Sequence, residues 1–469
     1  MTRTTLSERD RTRRWPASAV ARTRARWRRA EKYVKSKLLW SKLYRTSSYI
    51  KSSLWIAPFV AIFLVLAIAP ALRTFDAWLG WRVSGLHRAG AEALYQTVIT
   101  LTLSFMVFTF GSLLVAIQVA GGQLTPRIIA TTLLRDNVVR YTVGLFVFTL
   151  MFSVTALDRL GPEVHELVAM IVAVLGVGCI TAFLFLIDYA ARLLRPISIL
   201  ARVGNDGVNV IESVYPHLAE AASDDHGASR PQLGPAGRVV RHAGVSQVVL
   251  AVDLESLVTE ARRSRGVIEF VPQVGDFVAF DEPLFALHGG AAAIDDRKLR
   301  AAVAFGSERT MEQDPIFAFR IIVDIGLKAL SAAINDPTTA VLAIDQLHRL
   351  LRDVGKRQLR REEFLDRAGE RRLIFRTPNW EDFVHVACTE IRSCGAGSVQ
   401  VARRLRAMLD NLIATLPAHR HEALVEERRR LDDMLGSLYK LPEDLALARI
   451  PDSQGLGGSS GNVRTANRS

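Results

Sequence analysis

The chain has 469 residues, a net charge of +13 and a mean hydropathy of +0.17. Hydrophobic residues make up 49% of it and charged residues 23%, which excludes both a purely soluble protein and a bundle of membrane helices alone. The sequence therefore predicts a split chain, part in lipid and part in water. Its three cysteines, an odd and sparse set, exclude a disulfide framework and show no zinc-binding spacing.

Residues 1–51 form a basic arm that carries the whole excess of positive charge. The arm contains 16 lysines and arginines against three acidic residues, and the charges of the remaining residues cancel. A basic segment beside a hydrophobic one is typical of a cytoplasmic flank that binds anionic lipid headgroups. The alternative is an arm that binds nucleic acid, because arginines and lysines also suit phosphates. The lipid bilayer is the partner that we expect.

Four segments are long and apolar enough to cross a membrane, namely 53–72, 93–120, 141–157 and 165–187. Arginines are concentrated in the N-terminal arm, in the second connection and after the fourth segment, and they are sparser in the other two connections. By the positive-inside rule, both termini are then cytoplasmic. We predict that residues 52–190 form a four-helix transmembrane domain.

The second predicted span carries a stripe of small and polar side chains. Thr97, Ser104, Gly111 and Gln118 recur every seven residues and so lie on one helix face, with Thr100 to its side. Small and hydroxyl residues at this spacing let two helices approach closely. The other interpretation is a water-lined face of a pore. No acidic or basic side chain lies along this span beyond its entry, which argues against a proton relay or a cation site.

An elbow at the cytoplasmic membrane surface is predicted after the second span. Gly121 and Gly122 are expected to end the helix, because glycine readily takes the backbone conformation of a helix C-terminus. Pro126 is then suited to the first turn of a short amphipathic helix, next to Arg127. The sequence thus predicts that the second span ends at the two glycines and is followed by a short helix along the membrane surface.

The aqueous half begins with a helical linker and flexible boundary, 191–240, followed by a small β module, 241–295. The segments QVVLAV and GVIEFV are predicted strands around a short helix, and VGDFVAFDEPLFAL reads as two strands joined by a turn. The module is similar to the β-sandwich of biotinyl and lipoyl carrier domains. No lysine occurs between Lys51 and Lys298, so the module cannot carry either cofactor.

Residues 296–450 are predicted as a helical cytoplasmic domain, and 451–469 as a disordered tail. In SAAINDPTT, Asp336 is expected to cap a helix whose first turn contains a proline. Asn335, Asp336 and Thr338 could alternatively contact a ligand or partner at that helix N-terminus. The chain shows no nucleotide-binding loop, nucleophile elbow or metal-spaced set of histidines and glutamates. It therefore offers no catalytic, cofactor-binding or metal-binding residue, and an enzyme is the least favoured class.

Four segments resemble the DUF2254 family of predicted bacterial membrane proteins: LSFMVFTFGSLLVAIQVAGGQLTPRII, RDNVVRYTVGLFVFTLMFSV, VGDFVAFDEPLFAL and DIGLKALSAAINDPTTAVLAIDQL. The resemblance covers about residues 45–450, and the last segment is the most specific. The family usually has a proline where Ser331 and Ala332 lead into Ala333 here. The resemblance implies a bacterial inner-membrane protein and no established activity.

The predicted fold is an α-helical integral membrane protein with four transmembrane helices and a cytoplasmic α+β region, in which a small β-sandwich-like module precedes a helical domain. Two function classes remain open. The first is a non-enzymatic, channel-like or transport-associated homo-oligomer with a cytoplasmic sensing or gating domain. The second is a membrane-anchored interaction or regulatory protein whose spans only pack.

Overall fold

The computed structural model describes residues 56–79, 85–123, 136–161, 164–193, 195–218, 233–359, 363–366 and 368–457. The predicted basic arm, 1–51, lies outside them. The N-terminal part contains four long apolar helices, α1 (Ile56–Leu79), α2 (Arg88–Gln123), α3 (Asn137–Asp158) and α4 (Glu166–Leu193). Helix α3 lies at the centre and packs against the other three. Buried side chains from all four helices form one core: Val65, Tyr95, Val98, Phe152 and Val172.

Three of the four predicted spans are confirmed as helices that are long and apolar enough to cross a membrane. Within the described residues these are Arg88–Gln118, Asn137–Asp158 and Glu166–Arg192. The apolar part of α1, Ile56–Leu72, is shorter. The first residues of that predicted span, 53–55, lie outside the described part of the chain.

Helix α2 does not end where the sequence predicts. It continues through Gly121 and Gly122 to Gln123, so these two glycines are helical rather than a C-terminal stop. A glycine inside a helix costs only about 1 kcal/mol relative to alanine, which neighbouring turns offset. Pro126 and Arg127, the other two residues of the predicted elbow, lie outside the described residues.

The C-terminal region combines helices with two sheets. Its helices are α5 (Pro196–Val214), α6 (Leu254–Ser264), α7 (Asp296–Ala301), α8 (Pro315–Ala329), α9 (Pro337–Gly355), α10 (Trp380–Gly395), α11 (Val399–Thr415), α12 (His421–Leu438) and α13 (Pro442–Ala448). Its strands are β1 (Arg238–Arg241), β2 (Gln247–Val252), β3 (Gly266–Phe270), β4 (Phe277–Val278), β5 (Pro283–Gly289), β6 (Val303–Gly306), β7 (Glu363–Leu365) and β8 (Arg371–Phe375). The helices α5 and α8 to α13 share one apolar core.

The predicted start of α9 is confirmed. Asp336 is its N-cap, and its carboxylate accepts a hydrogen bond from the Thr339 backbone N–H. Asp314 caps α8 in the same way, with a donor at Phe317. Both helices open with proline, whose missing N–H and fixed φ suit the first turn.

The two sheets extend beyond the predicted β module. The strands of 241–295 form as expected, but β6, β7 and β8 come from the segment that we assigned to the helical domain. One sheet has the order β1-β5-β3-β8-β7 and the other β4-β2-β6. Strand β8 pairs in parallel with β3, and the rings of Phe270 and Phe375 stack 5.8 Å apart. Strand β8 has only five residues, so its alternation of polar and apolar side chains is too short to distinguish it from the neighbouring helical segments in the sequence.

The first residues of the predicted tail are ordered against the helical domain. Asp452 is buried, and its carboxylate accepts hydrogen bonds from the backbone N–H groups of Gln454, Gly455 and Gly457. Arg403 donates to the carbonyls of Ile450 and Gly457. Residues 451–457 therefore belong to the folded region, and the rest of the predicted tail lies outside the described residues.

Candidate functional site

The predicted stripe of α2 faces away from the bundle of its own chain. Thr97, Thr100, Ser104, Gly111 and Gln118 are all exposed. The three hydroxyls donate to carbonyls four residues earlier in the helix, at 2.7–2.9 Å. A Cβ added at Gly111 would have no neighbour within 4 Å. The structure thus brings the five residues together on one face that no described element of the chain covers.

The outward face of α4 gives a direct comparison. Its exposed side chains are mainly large and apolar, with Val174, Val177 and Leu184 each more than 60% exposed. Such a face matches lipid chains. The stripe of α2 instead offers hydroxyls, a glycine and an amide, the residue types that mark contacts between helices in membranes. On α2 this polar line runs between exposed apolar side chains such as Val107 and Leu114, whereas on α4 the exposed apolar face is interrupted by a hydroxyl at Thr181.

A polar network around one buried carboxylate joins the membrane bundle to the C-terminal region. Asp136 is the N-cap of α3, and its carboxylate accepts hydrogen bonds from the backbone N–H groups of Val138 and Val139. The same carboxylate accepts a hydrogen bond from the Tyr189 hydroxyl of α4 at 2.6 Å. It also accepts one from the Arg202 guanidinium of α5 at 2.8 Å. We call Asp136, Tyr189 and Arg202 the junction.

The junction is built to keep its carboxylate charged. Burial acts to raise the pKa of Asp136, but the hydrogen bonds from Tyr189 and Arg202 outweigh it and hold that pKa below its ordinary value. Arg202 also donates to the Tyr189 oxygen at 3.1 Å. Three helices thus meet at one charge, so a movement of α5 acts directly on the ends of α3 and α4.

The candidate contact at the start of α9 lies towards the membrane bundle. Helices α5 and α9 run in parallel, because Arg349 donates to Asn205 and Arg357, eight residues later, donates to Glu212. This register places the start of α9 beside the start of α5. Asn335 and Thr338 are exposed there, and Asn335 has a positive φ of 49°. The Asp336 carboxylate is bound by Thr339, which also donates its hydroxyl at 2.6 Å.

A cavity of about 410 Å³ separates the sheets from the helical domain. The end of α5, the start of α6, the segment before α8 and the segment after β8 line it, and they contribute four carboxylates, Asp253, Glu255, Glu312 and Asp314, and one guanidinium, Arg376. Burial raises the pKa of Asp314 to about 6, and the nearby Arg309 guanidinium only partly offsets it. Within the described residues, no three His, Cys, Asp or Glu side chains lie together as a metal site.

Comparison with known proteins agrees with a membrane protein of unassigned activity. A family model described as predicted membrane protein (DUF2254) matches residues 51–411. Uncharacterised proteins of Mycobacterium bovis and Mycobacterium tuberculosis are 26% identical over 381 residues, which cover 77% of this chain and 72% of theirs. No solved structure matches the chain.

Proposed function

This chain belongs to the DUF2254 family of predicted membrane proteins, and we propose that it forms a channel-like or transport-associated homo-oligomer in the bacterial inner membrane. One observation carries the proposal. The stripe of α2 faces outwards as a continuous line of hydroxyls, a glycine and an amide between exposed apolar side chains, and the outward face of α4 has no stripe of this length. A second copy of the chain with the same stripe is the neighbour that fits it, because small residues let two helix backbones approach.

The proposed topology has four spans, with both termini in the cytoplasm. Helix α1 has 24 residues, enough for about 36 Å at 1.5 Å per residue. The arginine-rich arm before it favours a cytoplasmic N-terminus, where anionic headgroups attract positive charge. A cytoplasm-only reporter fused after Lys51 or after Ile187 is expected to be active, and one fused near Gly85 silent. An active Gly85 fusion contradicts four spans.

The junction supports a role for the C-terminal region in gating. Arg202 belongs to α5, which packs on α8 and α9 in the helical domain, and it bonds to Asp136 at the start of α3. A ligand that shifts α5 therefore moves a charge on which α3 and α4 depend. The start of α9, with Asn335, Asp336 and Thr338, is the proposed place for a ligand or partner to act.

Thiol labelling tests whether the stripe becomes wet. Cysteines placed singly at positions 97, 104, 111 and 118 are treated with a membrane-impermeant thiol reagent. We expect protection at 104 and 111 in the resting protein and labelling once the junction is broken by Arg202→Ala. Val177→Cys, on the apolar face of α4, is the lipid-facing control and should stay unlabelled. Protection at 104 and 111 in both backgrounds leaves the alternative function, a membrane-anchored regulatory protein whose spans only pack.

A further inference from the structure

A second line of hydroxyls runs along the inside of the membrane bundle. Thr102 and Thr109 of α2 and Thr142, Thr149 and Ser153 of α3 are all buried. We call these five residues the hydroxyl track. Their spacings of seven and four residues keep them on one face of each helix. From Thr142 to Ser153 the track follows α3 for about 16 Å, roughly half the thickness of a bilayer core.

Helix α4 packs against the track at the level of Cys179, whose thiol lies near the middle of α4. Helices α2 and α4 run in parallel, since Phe105 stacks on Phe183 at 4.2 Å and a Cβ at Gly176 would lie 2.9 Å from Val98. This register puts Thr102 level with Cys179. The Cys179 thiol donates to the Thr149 hydroxyl at 3.2 Å. Three helices therefore present polar atoms to one another in the middle of the bundle.

Two hydroxyls of the track, those of Thr109 and Ser153, make no hydrogen bond to any described protein atom and are 4% and 0% exposed. The Thr102 hydroxyl is 1% exposed and has the Cys179 thiol as its hydrogen-bonding neighbour. The outward-facing Thr97 and Ser104 instead donate to their own helix. A buried hydroxyl without a partner is costly, and buried polar groups in proteins are commonly bridged by ordered water. The contrast between the two faces points to a ligand on the inner one.

An apolar layer separates the hydroxyl track from the junction. Val139, Val143 and Leu186 form a buried cluster at the level of Thr142, between the rest of the track and Asp136 at the start of α3. Hydrophobic constrictions of this kind stop water by dewetting. The layer lies next to the three residues that tie α3 and α4 to α5.

We propose that the hydroxyl track binds a file of water molecules inside the bundle of each subunit, closed towards Asp136 by Val139, Val143 and Leu186. Water is the fitting ligand because it both donates and accepts hydrogen bonds, as the track hydroxyls do, and the track contains no charge that would hold an ion. The inference requires the bundle to lie in a membrane but does not require contact between copies. It therefore stands or fails separately from the proposed oligomer.

Radiolytic footprinting of the protein in lipid nanodiscs tests the proposal, because hydroxyl radicals form from water bound beside a side chain. The chain contains a matched pair of thiols. Cys179 borders the track and Cys388 lies in the apolar core beside Phe383 and Ile391, and both are at most 1% exposed. We expect Cys179 to be oxidised at least about threefold faster than Cys388. Equal rates overturn the proposal.

A variant that lacks the hydroxyls of Thr102, Thr109 and Ser153 gives the second readout. In T102V/T109V/S153A we expect the oxidation rate of Cys179 to fall to that of Cys388, with no rise in the melting temperature. A track without water predicts the opposite result. Cys179 would then be oxidised slowly in the wild type, and removal of the unpaired hydroxyls would raise the melting temperature. Thr181→Val, on the outward face of α4 where the hydroxyl donates to the Val177 carbonyl, is the control and should change neither value. If the triple variant does not fold, the ratio of the Cys179 and Cys388 oxidation rates in the wild type still tests whether the track contains water.

Discussion

Asp136→Ala is expected to lower the free energy of unfolding by about 2–4 kcal/mol. The substitution removes the N-cap of α3 and leaves the Tyr189 hydroxyl and the Arg202 guanidinium without their shared acceptor. The loss stays below that of a fully buried ion pair because the Arg202 side chain is 33% exposed. Unfolding by SDS in mixed micelles of the purified protein measures the change.

Two variants show whether the junction causes that loss. Asp188→Ala removes a carboxylate on the last turns of α4. In the described residues its only ion-pair partner is Arg192, and both side chains are exposed. An exposed pair contributes little, so a change within about 0.5 kcal/mol is expected. Asp136→Asn keeps a capping side chain and loses the charge, so its effect should be intermediate. Equal losses for Asp136→Ala and Asp188→Ala contradict the role of the junction.

Asp314→Asn is expected to raise the stability of the C-terminal region at pH 7.5 by up to about 3 kcal/mol. Burial raises the pKa of the Asp314 carboxyl to about 6 from 3.8, and each unit corresponds to about 1.4 kcal/mol. Asparagine caps a helix as well as aspartate does, so α8 keeps its N-cap. Chemical unfolding of the wild type and the variant at several pH values measures the difference.

The pH dependence has a definite sign. Because the carboxyl takes up a proton more readily in the folded state, its unfavourable charge is present above pH 6 and is relieved as the pH falls from about 6 towards 4. The advantage of Asp314→Asn should therefore shrink over this window. Asp295 caps α7 at the surface, and Asp295→Asn should change stability little at either end. If the stability advantage of Asp314→Asn instead grows as the pH falls, the Asp314 carboxyl does not have a pKa raised by burial.

Much of the fold was predictable from local patterns. The apolar runs predicted three of the spans, and Asp336 followed by proline predicted the start of α9. The same pair of residues begins α8, where we made no such prediction. The sheets were harder, because β8 pairs with β3, about a hundred residues earlier in the chain, and no local signal contains that pairing. Asp452 was assigned to the tail because its fixing contacts come from glycine N–H groups and from the distant Arg403.

For the candidate site, the sequence could predict only which residues share a face of one helix. Seven-residue spacing put the stripe of α2 on one face, but spacing cannot tell whether that face points into or out of the bundle. Asp136 carried a signal that we did not use, because it is a capping residue type that lies five residues before a predicted span. Tyr189 and Arg202 carried none, since their role arises from where α4 and α5 meet the start of α3.

Two copies of the chain are expected to contact each other through the stripe of α2. Gly111 and Gly178 form a matched pair, because a Cβ added at either would have no neighbour within 4 Å in its own chain. Each is changed to cysteine in a Cys394→Ser background, which removes the exposed native thiol, and native membranes are oxidised. We expect a disulfide-linked dimer from Gly111→Cys and monomer from Gly178→Cys. Monomer from both, or equal dimer from both, would contradict a specific seam along α2.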